Sequence, residues 1–257
     1  MGKVVAIHSF RGGTGKSNIS ANLGFCLARR GLKVAIIDSD IVSPGIHAIF
    51  GFEPDAPRHT LNSFLAGNAT IKEIAHPIDM PEVAAAGGAL YLIPSSLELS
   101  EISHILRNGY NVSLLIKAFK DLVSQLTLDF LLIDTHPGIN EETLLAIAVA
   151  DCLIVVLRLD KQDYQGTGIT LEVSRKLGTR RLLLVNNVTA DHDPREVTTS
   201  VEDAFGASVI GVLPHAPALM ALGSSACICQ KEPDQPFAAA IDGVAGRLID
   251  VEGGALQ

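Results

Sequence analysis

A glycine-rich segment near the start of the chain, Arg11–Ser17 (RGGTGKS), constrains the fold more than any other feature of the sequence. The apolar run Val4–Ile7 precedes it, and apolar residues at helical spacing follow between Ile19 and Leu27. A buried parallel strand reads as such a continuous apolar run. The segment is therefore predicted to be a strand-to-helix turn, where free backbone N–H groups and the positive helix end attract anions.

The residues of this turn suit a nucleotide phosphate site. In the standard phosphate loop, G-x-x-x-x-G-K-[ST], the lysine reaches the β- and γ-phosphates and the hydroxyl binds Mg²⁺. Lys16 and Ser17 fit those positions, but the first glycine of the pattern falls on Phe10. A glycine-rich turn that only caps a helix is the alternative, and a GGTGKS run directly after a strand argues against it.

Composition favours a soluble, cytoplasmic protein with a sizeable core. The chain has 257 residues, 47% of them hydrophobic and 19% charged, and we expect residues 1–257 to form a single domain. A formal net charge of −8 argues against a dedicated nucleic-acid binder. We expect no transmembrane segment, no signal peptide and, from only four cysteines, no disulfide framework.

Strand-like apolar runs alternate with helical patterns along the chain. The predicted strands are Val4–His8, Val34–Asp38, Leu90–Pro94, Phe130–Asp134, Leu153–Leu157, Leu182–Asn186 and Val209–Leu213. The predicted helices are Lys16–Arg30, Ser113–Leu126, Glu141–Val149, Asp163–Leu177 and Pro194–Phe205. This alternation predicts an α/β fold, a doubly wound, mainly parallel sheet with helices on both faces. Ligands of such sheets bind at the carboxyl ends of the strands.

Acidic residues stand at two of these strand ends. One strand ends in Asp38 and continues through Ser39 to Asp40, and another ends in Asp134 within the sequence DTHPG. An aspartate after four apolar residues is typical of the second Mg²⁺-organising element of a phosphate-loop NTPase. Each aspartate alone could instead be a helix cap or turn residue. Three of them beside a phosphate loop favour a metal site.

With these motifs in order, the sequence resembles the MinD/ParA group of dimeric ATPases, whose deviant phosphate loop reads K-G-G-x-G-K-[ST]. That pattern explains the failure of the standard one at Phe10, and the resemblance covers nearly the whole chain. Further segments that match are the first switch (Asp38–Asp40 with Ser43–Gly45), the Walker B strand and second switch (Phe130–Gly138), the adenine-reading strand end (Leu184–Asn187) and the purine-flanking loop (Gly211–Pro214).

The resemblance implies ATP and Mg²⁺ as cofactors and a role for each matching residue. The nucleotide-binding residues would be Gly12, Gly13, Thr14, Gly15, Lys16, Ser17 and Asn18, with Asn186 bonded to adenine and Pro214 beside the base. The metal would be held by Ser17, Asp38 and Asp134, the carboxylates acting through water. Asp40 would position the attacking water and form the catalytic set with Lys16 and Arg11. His136, inside the second switch, could sense the γ-phosphate state or shape a partner surface, and a local turn residue is the alternative.

One residue departs from the family pattern. The family has a signature lysine, which reaches across an ATP-sandwiched dimer, where this chain has Arg11. Arginine keeps the charge, and its planar fork can contact two phosphate oxygens, so Arg11 could act in trans as an arginine finger. A structural ion pair is the alternative for Arg11. Lys161 is a second candidate for the cross-dimer cation, with a solvated loop lysine as its alternative.

The resemblance also implies a slow ATPase whose ATP-dependent homodimer acts as a switch. The leading function is positioning or partitioning of a cellular cargo through a protein activator or cargo adaptor. The C-terminal segment from Pro236 is amphipathic but acidic, so we expect a core-packing helix and no membrane anchor.

A local basic group leaves DNA as a further partner. Its residues are Arg175, Lys176, Arg180 and Arg181. A dimer that doubled this group could bind DNA weakly, without sequence specificity and with strong salt dependence. A solvated helix end is the alternative.

The runner-up function is ATP-driven assembly of a metallocentre. Cys227-Ile228-Cys229 places two thiolates at a spacing that can share a soft metal, although apolar cysteines are often simply buried. Cys26 and Cys152 lie in apolar runs and are predicted to be core residues. An inactive nucleotide-binding module is disfavoured because every charged residue of the predicted site is retained.

Overall fold

The computed structural model describes residues 2–41, 43–52, 59–109 and 112–253. The strands within these ranges are β1 (Lys3–His8), β2 (Lys33–Asp38), β3 (His76–Pro77), β4 (Ala89–Ile93), β5 (Phe130–Asp134), β6 (Cys152–Leu157), β7 (Arg180–Val188) and β8 (Ser208–Pro214). The helices are α1 (Lys16–Ala28), α2 (Ile46–Ile49), α3 (Leu61–Leu65), α4 (Pro81–Ala85), α5 (Leu99–Asn108), α6 (Val112–Gln125), α7 (Glu141–Val149), α8 (Lys161–Leu177), α9 (Pro194–Phe205), α10 (Pro217–Ala221), α11 (Ile228–Lys231) and α12 (Pro236–Gly253).

The strands form one sheet in the order β3-β4-β2-β5-β1-β6-β7-β8. Every neighbouring pair is parallel except β3 and β4, which are antiparallel. The predicted doubly wound, mainly parallel α/β sheet is confirmed. Because β1 lies between β5 and β6, the glycine-rich turn that follows β1 emerges at the centre of the carboxyl edge, where the ligands of such sheets bind.

Both faces of the sheet are covered, because successive side chains of a strand point to opposite faces. Val5 and Ile7 of β1 pack with residues of α1 and α12 in one hydrophobic cluster. Ala6, between them in sequence, packs on the opposite face with residues of α7, α8 and α9, and Ile37 packs on that face with residues of α6. The continuous apolar runs in the sequence reflect this burial on two sides.

The predicted bounds of the long elements lie close to the observed ones. β5, α7 and α9 begin and end at the predicted residues. α1 ends at Ala28, two residues before the predicted end, and the chain then turns at Gly31, whose φ is 85°. Strand β3 and the helices α2 to α5, α10 and α11 were not predicted, and most of them are too short to show a periodicity in the sequence.

The last helix, α12, is a core element, as the acidic character of its sequence predicts. Its buried apolar face consists of Phe237, Ile241, Val244 and Leu248. Asp242 accepts a hydrogen bond from Nη2 of Arg29 at 2.7 Å and also pairs with Arg30, so α12 is attached to the end of α1. In the described part of the chain, no helix is long and apolar enough to cross a membrane. Residues 254–257 of the predicted tail lie outside the described residues.

Phe10, which breaks the standard phosphate-loop pattern, packs against α8. A Cβ atom added to Gly166 would collide with Cβ, Cγ and Cδ1 of Phe10. The glycine in α8 therefore allows the phenylalanine ring to lie directly on the helix. This contact holds the beginning of the glycine-rich turn against α8.

We expect Gly166→Ala to lower the free energy of unfolding by about 1–3 kcal/mol, because the new methyl group forces Phe10 to move. Gly168→Ala is the matched control, since nothing lies within 4 Å of a Cβ at Gly168 in the same helix. The control should be neutral or stabilising by up to about 1 kcal/mol, as expected for glycine to alanine in a helix. Urea denaturation of both variants measures the difference. Equal stabilities would contradict the packing argument.

Candidate active site

The glycine-rich turn lies between β1 and α1, as predicted, and two of its glycines have left-handed backbone angles. The φ angles are 75° at Gly13 and 88° at Gly15. A Cβ at Gly15 would lie 2.5 Å from Nδ2 of Asn186. That same nitrogen donates a hydrogen bond of 2.7 Å to the carbonyl oxygen of Thr14. Only glycine fits at position 15, and β7 holds the turn through Asn186.

Two buried polar atoms, one in the turn and one at the start of α1, have no hydrogen-bond partner among the described residues. They are Oγ1 of Thr14 and Oδ1 of Asn18. The side-chain nitrogen of Asn18, Nδ2, does have a partner, since it donates a hydrogen bond to Oγ of Ser224 at 3.2 Å. Buried polar atoms are normally hydrogen-bonded, so orphaned ones at a glycine-rich turn fit a polar ligand. The residues of the turn therefore fit a phosphate-bearing nucleotide.

A cavity of about 450 Å³ opens beside the turn. It is lined by residues that the sequence analysis named, namely Gly13, Thr14, Gly15, Asn18, Asn186 and Pro214. Asn187, from the predicted adenine-reading segment, also lines it. The residues that were not named complete the lining, namely Arg158, His215, Ala216, Leu219, Met220, Gly223, Ser224 and Phe237. Most of the unnamed residues follow β8 in a short helix and loop, which carry no periodic or charged pattern that would mark them.

Asp134, at the end of β5, accepts two hydrogen bonds and forms one ion pair with residues of α1. Oγ of Ser17 and Oγ of Ser20 each donate at 2.7 Å, and Nζ of Lys16 lies 3.0 Å from Oδ1 of Asp134. The carboxylate is fully buried and the lysine nearly so. The structure thus brings together three residues predicted for phosphate and metal binding, and adds Ser20, which the sequence analysis did not single out.

Asp38 lies beside Asp134 at the end of the neighbouring strand, where the two residues are in register. Its Oδ2 accepts hydrogen bonds from the backbone N–H groups of Gly45 (2.9 Å) and Ile46 (3.0 Å). Burial, together with the negative charge of Asp134, raises the pKa of Asp38 to about 7. Two buried carboxylates at neighbouring strand ends strongly favour a bound cation.

Asp40 is held in the loop that follows β2. Its Oδ1 accepts a hydrogen bond of 2.9 Å from the backbone N–H of Ser43, and Nε2 of His136 lies 3.8 Å from the same oxygen. His136 Nδ1 contacts the carbonyl oxygen of Pro137 at 2.6 Å. The two segments that resemble the family's switches therefore face each other through Asp40 and His136.

His8 links the strand ends beneath the turn. Its Nδ1 lies 2.8 Å from Oγ1 of Thr135, and that hydroxyl donates to the carbonyl oxygen of Ile7 at 3.1 Å. Burial, together with the nearby charge of Lys16, lowers the pKa of His8 to about 3. His8 is therefore neutral at physiological pH and adds no positive charge to the site. From the sequence, His8 was predicted only as the last residue of a strand.

The two candidate cross-dimer cations are both exposed. Arg11 forms no ion pair with any residue that the structure describes, so the predicted alternative of a structural ion pair has no partner here. Lys161 is the first residue of α8 and is also without an ion pair within the described ranges. Both side chains remain available for an interaction outside the chain.

The two groups of residues that suggested other functions are occupied by structural contacts. Cys227 and Cys229 are buried with Cys26, and Sγ of Cys227 donates a hydrogen bond to Oδ1 of Asn22 at 3.1 Å. Burial raises the pKa of the Cys227 thiol to about 12. No group of three or more His, Cys, Asp or Glu side chains in the described ranges is arranged to hold a metal.

The basic group near the end of α8 is partly neutralised. Arg175 and Lys176 pair with Glu172 at 2.9 and 3.7 Å, and Arg180 lies 3.6 Å from the buried Glu252. These carboxylates reduce the local positive potential on which phosphate-backbone binding depends. The geometry therefore does not favour the DNA interpretation.

A larger cavity, of about 550 Å³, lies away from this edge of the sheet. Its lining includes Lys3, Leu128, Ile249 and Glu252 at the amino ends of the strands and the end of α12. It contains none of the strand-end carboxylates and none of the glycine-rich turn, and it is not part of the candidate site.

Sequence comparisons place the chain among ATP-binding proteins. The family model described as an AAA domain matches residues 2–182. An uncharacterized ATP-binding protein of Methanocaldococcus jannaschii is 33% identical over 252 residues, which cover 97% of this chain and 88% of that protein. The flagellum site-determining protein YlxH of Helicobacter pylori is 28% identical, covering 99% of this chain and 85% of YlxH. An iron-sulfur cluster carrier protein of Methanococcus maripaludis is 31% identical, covering 66% of this chain and 56% of the carrier.

A solved structure shows the same fold. The septum site-determining protein MinD of Pyrococcus horikoshii, complexed with Mg-ADP, superimposes with a TM-score of 0.82 at 22% sequence identity. The match covers 98% of each chain.

The raised pKa of Asp38 predicts a pH dependence of stability in the nucleotide-free protein. The unfolded chain loses the Asp38 proton near the ordinary value of 3.8, but the folded protein keeps it until about pH 7. Stability should therefore fall as the pH rises from about 4 to about 7 and then level off. We expect Asp38→Asn to remove this loss and to raise the free energy of unfolding at pH 8 by about 1–3 kcal/mol.

Urea denaturation in EDTA at pH 4.5 to 8.5 tests this expectation, with the exposed Asp203→Asn as the control. The gain from Asp38→Asn should shrink towards acidic pH, and the control should change little at any pH. A gain that does not depend on pH would contradict the raised pKa.

Proposed function

The chain belongs to the AAA-domain, MinD/ParA-type family of P-loop ATPases, and from that premise we propose that it hydrolyses Mg²⁺-ATP and acts as a nucleotide-gated dimeric switch. The observation that carries this proposal is the convergence of Lys16 and Ser17 on the carboxylate of Asp134 at a strand-to-helix turn, at 3.0 and 2.7 Å. We further propose that residues 1–257 act as one ATPase domain, which the packing of α12 on α1 supports.

The glycine-rich turn would hold the phosphates of ATP. Its backbone N–H groups at the start of α1 are suited to anions, and the hydroxyl of Thr14 has no other partner in the described structure. Lys16 would supply the positive charge at the β- and γ-phosphates. The remaining residues of the segment, Gly12 to Asn18, would form the wall of the phosphate site.

The donor set at the strand ends fits Mg²⁺, a hard cation that prefers oxygen ligands and keeps several waters. Ser17 would bind it directly, and Asp38 and Asp134 would hold its water shell. When bound, the metal would offset the negative charge on the phosphates. Its positive charge would also counteract the burial and the negative charge of Asp134 that raise the pKa of Asp38.

Asp40 would orient the water that attacks the γ-phosphorus, so that the bond from that phosphorus to the bridging oxygen breaks and ADP and phosphate leave. Its position in the loop after β2, fixed by the backbone N–H of Ser43, supports this role. His136, 3.8 Å away, would hold the second switch beside it. The chemistry is mainly alignment and charge stabilisation, which this set of residues supplies.

The adenine would lie in the cavity between β7 and the segment after β8. Nδ2 of Asn186 is used by Thr14, which leaves the acceptor Oδ1 for the exocyclic amino group of adenine. Pro214 would lie beside the base. Both residues line the cavity of about 450 Å³ next to the phosphate turn.

Arg11 would cross to the phosphates of a second subunit in an ATP-dependent homodimer. Its exposure and its lack of an ion pair within the described residues support this role, because the guanidinium is free to bind in trans. Lys161 is exposed as well and is the second candidate for the same contact.

The cellular role that we propose is positioning or partitioning of a cargo, in the cytoplasm, through a protein activator or adaptor. The likeness to a flagellum site-determining protein over 99% of the chain supports it. Metallocentre assembly, suggested by the iron-sulfur carrier relative, is the second candidate. It is disfavoured because Cys227 and Cys229, the pair that would hold the metal, are buried and structurally engaged.

We expect the purified protein to release phosphate from Mg²⁺-ATP. Asp40→Ala should lower the rate about 100-fold or more while ATP binding persists, because only the orientation of water is lost. Lys16→Ala should abolish both binding and hydrolysis. Phosphate release and equilibrium binding of ATP measure the two effects, and Asp203→Asn serves as the control. Activity of the wild type no greater than that of Asp40→Ala would contradict the ATPase proposal.

The dimer is tested by solution mass from light scattering, with ATP or ADP, in an Asp40→Ala background that preserves ATP. We expect a doubled mass with ATP only, and a monomer when Arg11→Ala is added. A dimer that survives Arg11→Ala would transfer the cross-subunit role to Lys161. A monomer in every condition would contradict the switch.

The second candidate function is tested by metal analysis of anaerobically purified protein. Because the Cys227 thiol is buried, we expect the same negligible iron content in the wild type and in Cys227→Ser. Iron in the wild type that is absent from the variant would instead support metallocentre assembly.

A further inference from the structure

We infer that Arg158 is an additional phosphate-binding residue of the nucleotide cavity, acting within its own subunit. This inference rests on the proposed function, and it concerns a residue outside the motifs described above. Arg158 follows β6, which lies in the sheet between β1, the strand before the glycine-rich turn, and β7, the strand that ends near Asn186. It lines the same cavity as Gly13 and Gly15.

The guanidinium of Arg158 is held by the carboxylates of Asp163, in α8, and Asp160, the residue that caps the start of α8. Its Nε donates to Oδ2 of Asp163 at 2.9 Å, and its Nη2 donates to Oδ1 of Asp163 at 3.3 Å. Nη2 also lies 3.2 Å from Oδ2 of Asp160. The Asp163 side chain is only 3% exposed, and its Oδ2 accepts the backbone N–H of Arg158 at 3.0 Å as well. This two-point attachment holds the guanidinium plane in place before a ligand arrives.

The contacts leave one nitrogen of the guanidinium unused. Nη1 has no hydrogen-bond partner within the ranges that the structure describes, whereas Nε and Nη2 are both occupied. The side chain is 30% exposed, so it is covered on most sides yet open to the cavity that it lines. A rigid cation with two free N–H donors beside a phosphate turn is suited to an anionic ligand.

The nearby carboxylates of Asp160 and Asp163 do not prevent Arg158 from binding an anion. Oδ1 of Asp160 accepts the backbone N–H groups of Gln162 and Asp163, so its charge is partly offset by the start of α8. Buried Asp163 accepts hydrogen bonds only from the Nε and Nη2 edge of the guanidinium. The geometry therefore resembles a cation positioned by acidic residues, with its free edge directed away from them.

The alternative is that Arg158 only fixes the turn between β6 and α8. The two roles differ in which ligands they affect. A phosphate contact strengthens binding of ATP and ADP but not of adenosine, whereas a distorted turn would also disturb the base site at Asn186 and Asn187 and weaken adenosine. Arg158→Lys distinguishes an effect of the positive charge from an effect of the guanidinium geometry. Lysine keeps the charge but cannot make the two-point contact with Asp163.

The test compares binding of ATP, ADP and adenosine to the full chain for Arg158→Gln, Arg158→Lys and the control Arg195→Gln, an exposed arginine at the start of α9. Calorimetry measures the nucleotides, and ligand-observed NMR measures adenosine. We expect Arg158→Gln to weaken ATP and ADP about tenfold or more, as for loss of a charge-assisted hydrogen bond, with adenosine unchanged. Arg158→Lys should lose less, and the control should stay within about twofold.

Two results would overturn the inference: unchanged ATP and ADP affinity in Arg158→Gln, or an equal loss for adenosine. If Arg158→Gln is not folded, as judged by its thermal transition, Arg158→Lys decides the question. If Arg158 contacts a phosphate, the Arg158→Lys protein should bind ATP and ADP more weakly than the wild type and bind adenosine equally well. Binding of ATP to the wild type and to Lys16→Ala tests the proposed function independently of Arg158. Loss of ATP binding in Lys16→Ala without loss in Arg158→Gln overturns only the inference, and a wild type that binds no ATP overturns both.

Discussion

The buried ion pair between Lys16 and Asp134 is the contact on which the rest of the site depends. It joins the first turn of α1 to the end of β5, and the hydroxyls of Ser17 and Ser20 complete the hydrogen bonding of the carboxylate. Removing one partner of a buried pair typically costs about 3–5 kcal/mol, because the other charge is left uncompensated. These contacts therefore hold the glycine-rich turn, the start of α1 and the end of β5 in fixed relative positions.

The same site concentrates more negative charge than one lysine can balance. Asp38 and Asp134 end neighbouring strands in register, and burial together with the negative charge of Asp134 raises the pKa of Asp38. Such an arrangement is unfavourable for the empty protein and favourable once a cation is added, which is the usual trade between stability and function at a binding site. Asp40, by contrast, lies in the loop after β2, where the backbone N–H of Ser43 holds its carboxylate and Nε2 of His136 lies 3.8 Å away.

The C-terminal helix α12 is attached to the other end of α1. Asp242 of α12 binds Arg29 and Arg30 just after the last turn of α1, which fixes both helices on the same face of the sheet. Cys227 and the backbone of Cys229 attach to Asn22, in the middle of α1. A cysteine pair that by spacing could bind a metal is thus used to pack the C-terminal part of the chain against the phosphate-loop helix.

The parallel sheet, the glycine-rich turn and the acidic strand ends could be predicted from the sequence, because continuous apolar runs and short fixed spacings are local features of the chain. Which distant residues complete the cavity depends on how the strands and helices pack together. Arg158 and His215 reach it because β6 and β8 are brought beside β1 and β7, and Phe10 is accommodated because Gly166 lies across from it. Burial of Cys227 likewise depends on how α11 packs on α1, a contact between residues about two hundred positions apart that no local pattern encodes.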